Sequence, residues 1–448
     1  MTSRRQRIEA IERNLGGRKL VWVGTRGTDA RPLLELRSLT HCFSLIAPLG
    51  SGMLEGEVCL EAETGHRVDL DGYDIDKDTS PEARAFRLHV RADLRSPSYI
   101  VAYRPLSFLT TLQYPNEGVI NYLGMFYERV RPFEHKVWVE TELRKRGIRT
   151  VPWSYYSGSD TVRLREALRL GPLVVRANLS SGGTGLLLTR TPDEVDRFAA
   201  RDPDGFFAAS PYLEGAIPLN VNACVFRGGQ VSLHGPSVQL IGVPELTSRY
   251  FGYCGNDFTR IRELDAATLM ELEQEVAEAG RWLSSMGYWG AFGLDALVHD
   301  GRVMVSEINA RFQGSSEISA LLDSELDRSD VYLEHMAAHL GLTPLPGWSL
   351  SDIAEQQSGV AQLIFHNRGE RATFGSASMW RVPEGANVEL QPGPGVCVDQ
   401  GAIVCRIVAK ESVTQDGRHL RQPWRDALEH FARGLTREDR PHSARATD

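Results

Sequence analysis

The sequence predicts a mixed α/β fold built from three units, and three observations carry that reading. The first is a strand, Leu20-Val-Trp-Val-Gly24, that runs through Thr-Arg-Gly-Thr into a helical stretch, the opening of a small α/β unit. The second is a change of pattern near residue 131, after which helical and strand-like stretches alternate to about residue 340. The third is the stretch 345–410, where short alternating strands are broken by turns such as Gln391-Pro-Gly-Pro-Gly395. The expected units are 1–130, 131–340 with an internal division near 206, a small β-rich 341–433, and a polar tail 434–448.

Each element has a local reason. Ile8, Ile11 and Leu15 recur at helical spacing before Gly16-Gly17, which predicts a short surface helix rather than a leader with an apolar core. No Gly-x-Gly-x-x-Gly follows the Leu20–Gly24 strand, which argues against a dinucleotide site there. The acidic run Asp69–Asp78 lacks the twelfth-position glutamate of a calcium loop and reads as a solvated surface loop. Beyond 131 come a helix over Phe133–Gly147, an extended Ile148–Trp153, a helix over Asp160–Leu170, and strands Leu173–Ala177 and Leu186–Thr189. Thr191-Pro-Asp-Glu194 is a capping box that opens the next helix. A β-rich stretch, 207–245, and a long helix from about Ala266 to Met286 lead into a hairpin of Ala291–Val298 and Arg302–Asn309.

Composition narrows the function. With 42% hydrophobic and 24% charged residues in 448, the chain is an ordinary globular one. A net charge of −8 argues against coating nucleic acid, which rewards a basic surface. No run of about 18 apolar residues suggests a membrane span. Six cysteines without a Cys-x-x-Cys pair suit reduced thiols in a cytoplasmic protein. Of the 50 basic residues only five are lysines, as codon bias towards arginine would give, so a lysine inside a phosphate-binding pattern carries extra weight.

The most informative pattern is Phe292-Gly-Leu-Asp295 followed by Val305-Ser-Glu307-Ile-Asn309-Ala-Arg311. Strand side chains alternate, so Glu307, Asn309 and, if the strand continues, Arg311 share a face. A three-residue loop, His299-Asp300-Gly301, would pair Val298 with Arg302 and bring Asp295 onto that face, whereas a two-residue Asp-Gly loop would put the two carboxylates on opposite faces. In a frame as apolar as Phe292, Leu294, Val303, Val305 and Ile308, two facing carboxylates repel unless a cation joins them. Hard oxygen donors of this kind suit magnesium shared with phosphates, and Arg311 suits an anionic transition state. Two further patterns are weaker alone. Arg176 ends an apolar strand before the loop Asn178-Leu-Ser-Ser181-Gly-Gly-Thr-Gly185, whose N–H groups can face phosphate, with Lys136 offering a second cation. Ser210-Pro-Tyr-Leu213-Glu214-Gly is an extended segment that could meet a base and a ribose.

In order along the chain, these pieces resemble the ATP-grasp superfamily of carboxylate–amine ligases over about 131–320. The resemblance implies an ATP-grasp fold (α+β or α/β in class) with an N-terminal α/β pre-ATP-grasp domain and a small β-rich C-terminal domain. It implies ATP and Mg2+ as cofactors, with a lid in about 131–206 and a metal- and nucleotide-binding part in 207–340. Lys136 and Arg176 match the phosphate-binding cations, and Ser181, Gly182, Gly183, Thr184 and Gly185 match the lid. Leu213 matches the adenine contact and Glu214 the ribose ligand, Asp295, Glu307 and Asn309 match the metal ligands, and Arg311 matches the arginine of Glu-x-Asn-x-Arg. Two departures stand out: the second cation is arginine where the family has lysine, and Ser210-Pro211 replaces the acid and lysine that usually start the linker. The overall layout, His135-Lys136 and the Ser-Ser-Gly-Gly-Thr-Gly segment are similar to the peptide ligases of pheganomycin-type antibiotic biosynthesis.

The resemblance implies transfer of the γ-phosphoryl group of ATP to a carboxylate, then attack by a peptide or amino-acid amine. A peptide α-amine, with a pKa of about 7.7–8.0, is partly neutral near pH 7.5 and needs little help from a base. The partners expected are small-molecule carboxylates and amines, neither nucleic acid nor membrane, with a homodimer left open. The rival readings are a biotin-carboxylase-like enzyme activating bicarbonate, a nucleotide-binding pseudoenzyme, and an interaction protein with a polar hairpin. Substrate walls are expected from the first unit, where Arg91, Arg95, Tyr103 and Arg104 could face an anion but for the most part are expected in solvent.

Overall fold

The computed structural model describes residues 4–437 except 51–52, 95, 114–117, 179–181, 203, 377–379 and 432–434. Ser181 and Arg95 therefore lie outside the described residues, as does the end of the expected tail.

The chain begins with the helix Arg4–Leu15, closed by Gly16 and Gly17 in left-handed conformations. The expected surface position is corrected by its buried face: Arg4, Arg7, Ile11 and Leu15 are covered, and Arg7 grips Glu334 through two hydrogen bonds of 2.9 and 3.1 Å. A parallel five-stranded sheet follows, in the order Gly56–Cys59, Leu39–Ile46, Lys19–Arg26, Ser98–Ala102, Ile120–Tyr122. Parallel strands present their C-terminal ends along one edge, where open α/β sheets bind ligands.

A small four-stranded sheet sits in the middle of the chain, in the order Ser154–Ser157, Phe206–Pro211, Leu173–Ala177, Leu186–Thr189. Its flanking helix Pro192–Ala199 starts with the capping box predicted from Thr191 and Glu194. A nine-stranded sheet dominates the molecule. It runs Arg302–Asn309, Gly290–His299, Ile217–Val225, Ser237–Ile241, Tyr253–Asp257, Ala361–His366, Ile403–Ala409, Ala386–Glu389, with Val231–Leu233 also paired to Ile217–Val225. The helix Ala266–Ser285 covers one face through Leu272, Val276, Ala279 and Leu283, against Val221, Ala223, Phe292 and Leu294. On the opposite face the helix Val331–His339 packs against Cys224, Phe226 and Ala291, and Asn220, Asn222 and Asp295 carry polar groups beside it.

Three C-terminal strands thus continue the nine-stranded sheet, while Ala372–Phe374, Cys397–Val398 and Leu435–Arg437 form a separate small sheet with His66–Arg67. Leu435–Arg437, expected in the polar tail, pairs with Ala372–Phe374. All six cysteines are separate thiols, five of them buried. Among the described residues no helix is long and apolar enough to cross a membrane.

Candidate active site

The sheets enclose one cavity of about 660 Å³, and most of the candidate residues line it: Lys136, Arg176, Gly182, Gly183, Leu213, Asp295, Glu307, Asn309 and Arg311. Glu214 is exposed and outside the lining, so the structure does not bring it to the other candidates. Thr184 and Gly185 belong to the same turn as Gly182 but lie outside the lining.

The hairpin reaches its geometry by a route different from the one expected. His299 pairs with Arg302, leaving a two-residue loop, Asp300-Gly301, with φ of 50° and 68° as a type I′ turn requires. That loop on a regular ladder would set Ser306 opposite Asp295 and turn Glu307 to the far face. A bulge at Ser306 adds one residue, and Asp295 pairs directly with Glu307 and Gly293 with Asn309. The carboxylates thus face each other across neighbouring strands, the closest cross-strand relation.

An amide cage surrounds Asp295. Asn220 on the adjoining strand donates to it at 2.7 Å, Gln239 at 3.1 Å, Asn309 at 3.3 Å and Gln313 at 3.4 Å. A side chain at Gly293 would overlap the Gln313 amide, so glycine is needed there for the amide to reach its partner. Burial and the neighbouring Glu307 push the Asp295 carboxyl up to about 7. Loss of solvent acts the same way on Glu307, but Lys136, Arg311 and Arg176 outweigh it and hold that carboxyl below its ordinary value. Lys136 makes a direct ion pair with Glu307. The donor set of two carboxylates and an amide oxygen fits magnesium.

Arg176 is built into the site as an arginine. It sits mid-sheet opposite Ala208 and Leu186, 4.1 Å from the Trp153 ring centre, and pairs with Glu140. Tyr155 holds the other Glu140 oxygen at 2.6 Å. Trp153 reaches this position because the extended segment before it bonds to the hairpin edge, Val151 N–H to the Val305 carbonyl at 3.1 Å and Val305 N–H to the Arg149 carbonyl at 2.8 Å. Lys136 opens the helix Lys136–Lys145 and Glu140 follows one turn later, so one helix face supplies a cation and the anchor of the other cation. That i, i+4 spacing was visible in the sequence, as were Asn220 and Asn222 alternating within an apolar strand.

Two of the glycines expected to form a lid are tightly packed. Gly182 and Gly183 have φ of 54° and 77°, and side chains there would strike the Asp71 carboxylate and the Phe251 carbonyl. This corrects the reading of Asp69–Asp78 as a solvated loop. Asp69 and Asp71 line the cavity and both pair with Arg249, Asp71 at 2.6 Å, while Asp76 caps the helix Ser107–Gln113 through the N–H groups of Ser107 and Phe108. Tyr103 and Arg104 also line the cavity instead of facing solvent, whereas Arg91 is exposed as expected. The contacts of Asp71 with Gly182 and of Asp69 and Asp71 with Arg249 join segments more than 100 residues apart and leave no local signal.

Comparison with known proteins agrees with this geometry. A family model described as an ATP-grasp domain matches residues 134–315. The formate-dependent phosphoribosylglycinamide formyltransferase of Nitratidesulfovibrio vulgaris is 26% identical over 327 residues, 69% of this chain and 78% of that protein. Biotin carboxylase from Campylobacter jejuni in complex with β,γ-ATP superposes with a TM-score of 0.60 at 15% identity, over 88% of each chain. Carboxyaminoimidazole ribonucleotide synthase from Aspergillus clavatus, complexed with ATP, gives 0.60 at 14% identity, over 92% of this chain and 99% of that one. Phosphoribosylamine–glycine ligase from Thermotoga maritima gives 0.58 at 16% identity, over 93% and 97%. Residues 134–315 thus match an ATP-grasp domain, and the chain has the N-terminal α/β part and smaller β-rich C-terminal part of that architecture. The matched domain is that of an ATP-grasp-type enzyme.

Proposed function

We propose that the protein uses ATP to activate an acid as its acyl phosphate and transfers the acyl group to an amine. The observation that carries this reading is the convergence of Lys136, Arg176, Asp295, Glu307, Asn309 and Arg311 on a single cavity. A carboxylate oxygen of the acid attacks the γ-phosphorus of ATP and ADP leaves. The amine nitrogen then attacks the acyl carbon, phosphate leaves, and the amine gives up a proton. Asp295, Glu307 and Asn309 would hold magnesium, which when bound neutralises charge on the phosphate oxygens. Lys136 and Arg176 orient the phosphates, and Arg311 stabilises the developing oxyanion. The lid is assigned to Gly182–Gly185 with Ser181, the adenine contact to Leu213, and the 131–340 unit holds the nucleotide while the flanking units select the substrate.

A small acid, bicarbonate or formate, is the first reading of the donor, supported by the named activities of the formyltransferase and of biotin carboxylase. Ligation of an amino-acid-derived carboxylate to a peptide amine, as in antibiotic biosynthesis, is the second, supported by the His135-Lys136 and lid segments and the overall layout. ADP release is measured with Mg-ATP and bicarbonate, formate or amino-acid carboxylates, each with and without amines. Turnover that needs both acid and amine supports the proposal, and the acid that works separates the two readings. ATP cleavage indifferent to every acid would overturn both.

A further inference from the structure

Past Arg311 the cavity continues to a wall made by strand ends of the N-terminal sheet, and that wall is cationic. Arg26 ends the strand Lys19–Arg26, and Tyr103-Arg104 directly follow the neighbouring strand Ser98–Ala102. Parallel pairing, Val23 beside Ala102, brings all three to the same edge, and all three line the cavity. Arg26 is only 3% exposed. Asp29 holds its Nε and Nη2 at 3.0 and 2.7 Å, and its guanidinium carbon lies 6.0 Å from the centre of the Tyr103 ring. Arg104 donates to the Tyr73 carbonyl at 3.2 Å, and among the described residues no carboxylate pairs with it. Burial raises the Tyr103 phenol and Asp29 adds to it, while Arg26, Arg311 and Arg104 each pull it back.

We propose that Arg26, Tyr103 and Arg104 form an anion clamp that holds a carboxylate or phosphate carried by the amine acceptor. The inference rests on the acyl-transfer reading above and names the class of its acceptor. Arg311 marks the junction, since its charge reaches both Glu307 and Tyr103. The acyl group is activated on the phosphate side of that junction, so the molecule that attacks it approaches from the clamp side. Arg26 is pre-set by Asp29, and Arg104 and the Tyr103 hydroxyl complete a donor set for a planar or tetrahedral anion. Asp29 offsets the charge of Arg26, whereas among the described residues no carboxylate pairs with Arg104 or Arg311, and that uncompensated charge favours an anionic ligand over a neutral one.

The test is calorimetric titration of the full chain, without nucleotide, using four small amines. Glycine and O-phosphoethanolamine carry a carboxylate and a phosphate; glycinamide and ethanolamine are their uncharged-end counterparts. The two anionic amines are expected to bind at least tenfold tighter than their counterparts, and the stronger of the two identifies the anion. Arg104→Gln should remove that preference, Tyr103→Phe should reduce it, and ATP affinity in both variants should stay within twofold. Equal binding of charged and uncharged probes by the unaltered protein would overturn the clamp, and so would a preference that survives both substitutions. Because no nucleotide is present, these results stand apart from the ADP-release assay, whose failure would instead remove the acyl-transfer reading.

Discussion

Lys136 and Arg176 stand at the same end of the cavity yet are held by different means. Lys136 reaches across 171 residues of sequence to Glu307, one of the proposed metal ligands. Its partner is therefore part of the chemistry, and a flexible ammonium can turn from carboxylate to phosphate. Arg176 is fixed outside the chemistry, between the Trp153 face and Glu140. A lysine can pair with Glu140 but has no planar group to lay on an indole. In a chain so poor in lysine, arginine at 176 could pass for codon drift, but the pocket around it is shaped for a guanidinium.

The sharpest way to break this comparison is at the shared metal end. Glu307→Gln removes the partner of Lys136 and a proposed metal ligand together, and kcat for ADP release should fall roughly 10²–10³-fold, with an unchanged circular dichroism spectrum. Arg176→Lys keeps the charge and loses the stack, so KM for ATP should rise about tenfold while the melting temperature moves little. Unchanged kinetics would show that the pocket tolerates either cation. Trp153→Leu leaves the charge pair intact and should raise KM for ATP about threefold to fivefold, the loss of roughly 1 kcal/mol of cation–π attraction. Glu214→Ala should leave KM for ATP within twofold, because this exposed residue lies outside the cavity.

Proton linkage sharpens the same contrast. Asp295 is raised to about 7, so it is ionised at pH 8 and largely protonated at pH 6. A carboxyl whose folded pKa is raised stabilises the fold as pH falls and opposes it once ionised, so magnesium relieves most at high pH. The rise in melting temperature on adding magnesium should therefore be larger at pH 8 than at pH 6, and equal rises would remove Asp295 from the metal set.

Legibility in the sequence followed distance along the chain. The Glu307-x-Asn309-x-Arg311 face, the Thr191 capping box and the helix with Lys136 depend on alternation or on one helical turn, so the residues alone display them. The hairpin was legible in outcome but not in route: the Asp300-Gly301 turn and the Ser306 bulge compensate each other. A bulge leaves no signal that an alternating pattern reveals.

The sequence by itself determined which groups are on offer: the cations Lys136 and Arg176, the glycines Gly182, Gly183 and Gly185, and the Glu307-x-Asn309-x-Arg311 face, because alternation and helical spacing are local. Only the tertiary structure decided what surrounds them. Glu140 and Trp153 around Arg176, the amide cage of Asp295, Asp71 against the lid, and Arg26, Tyr103 and Arg104 on the far wall depend on how the sheets stack and on parallel strand order. Those relations arise from burying several apolar faces at once, and no short window of the chain contains them.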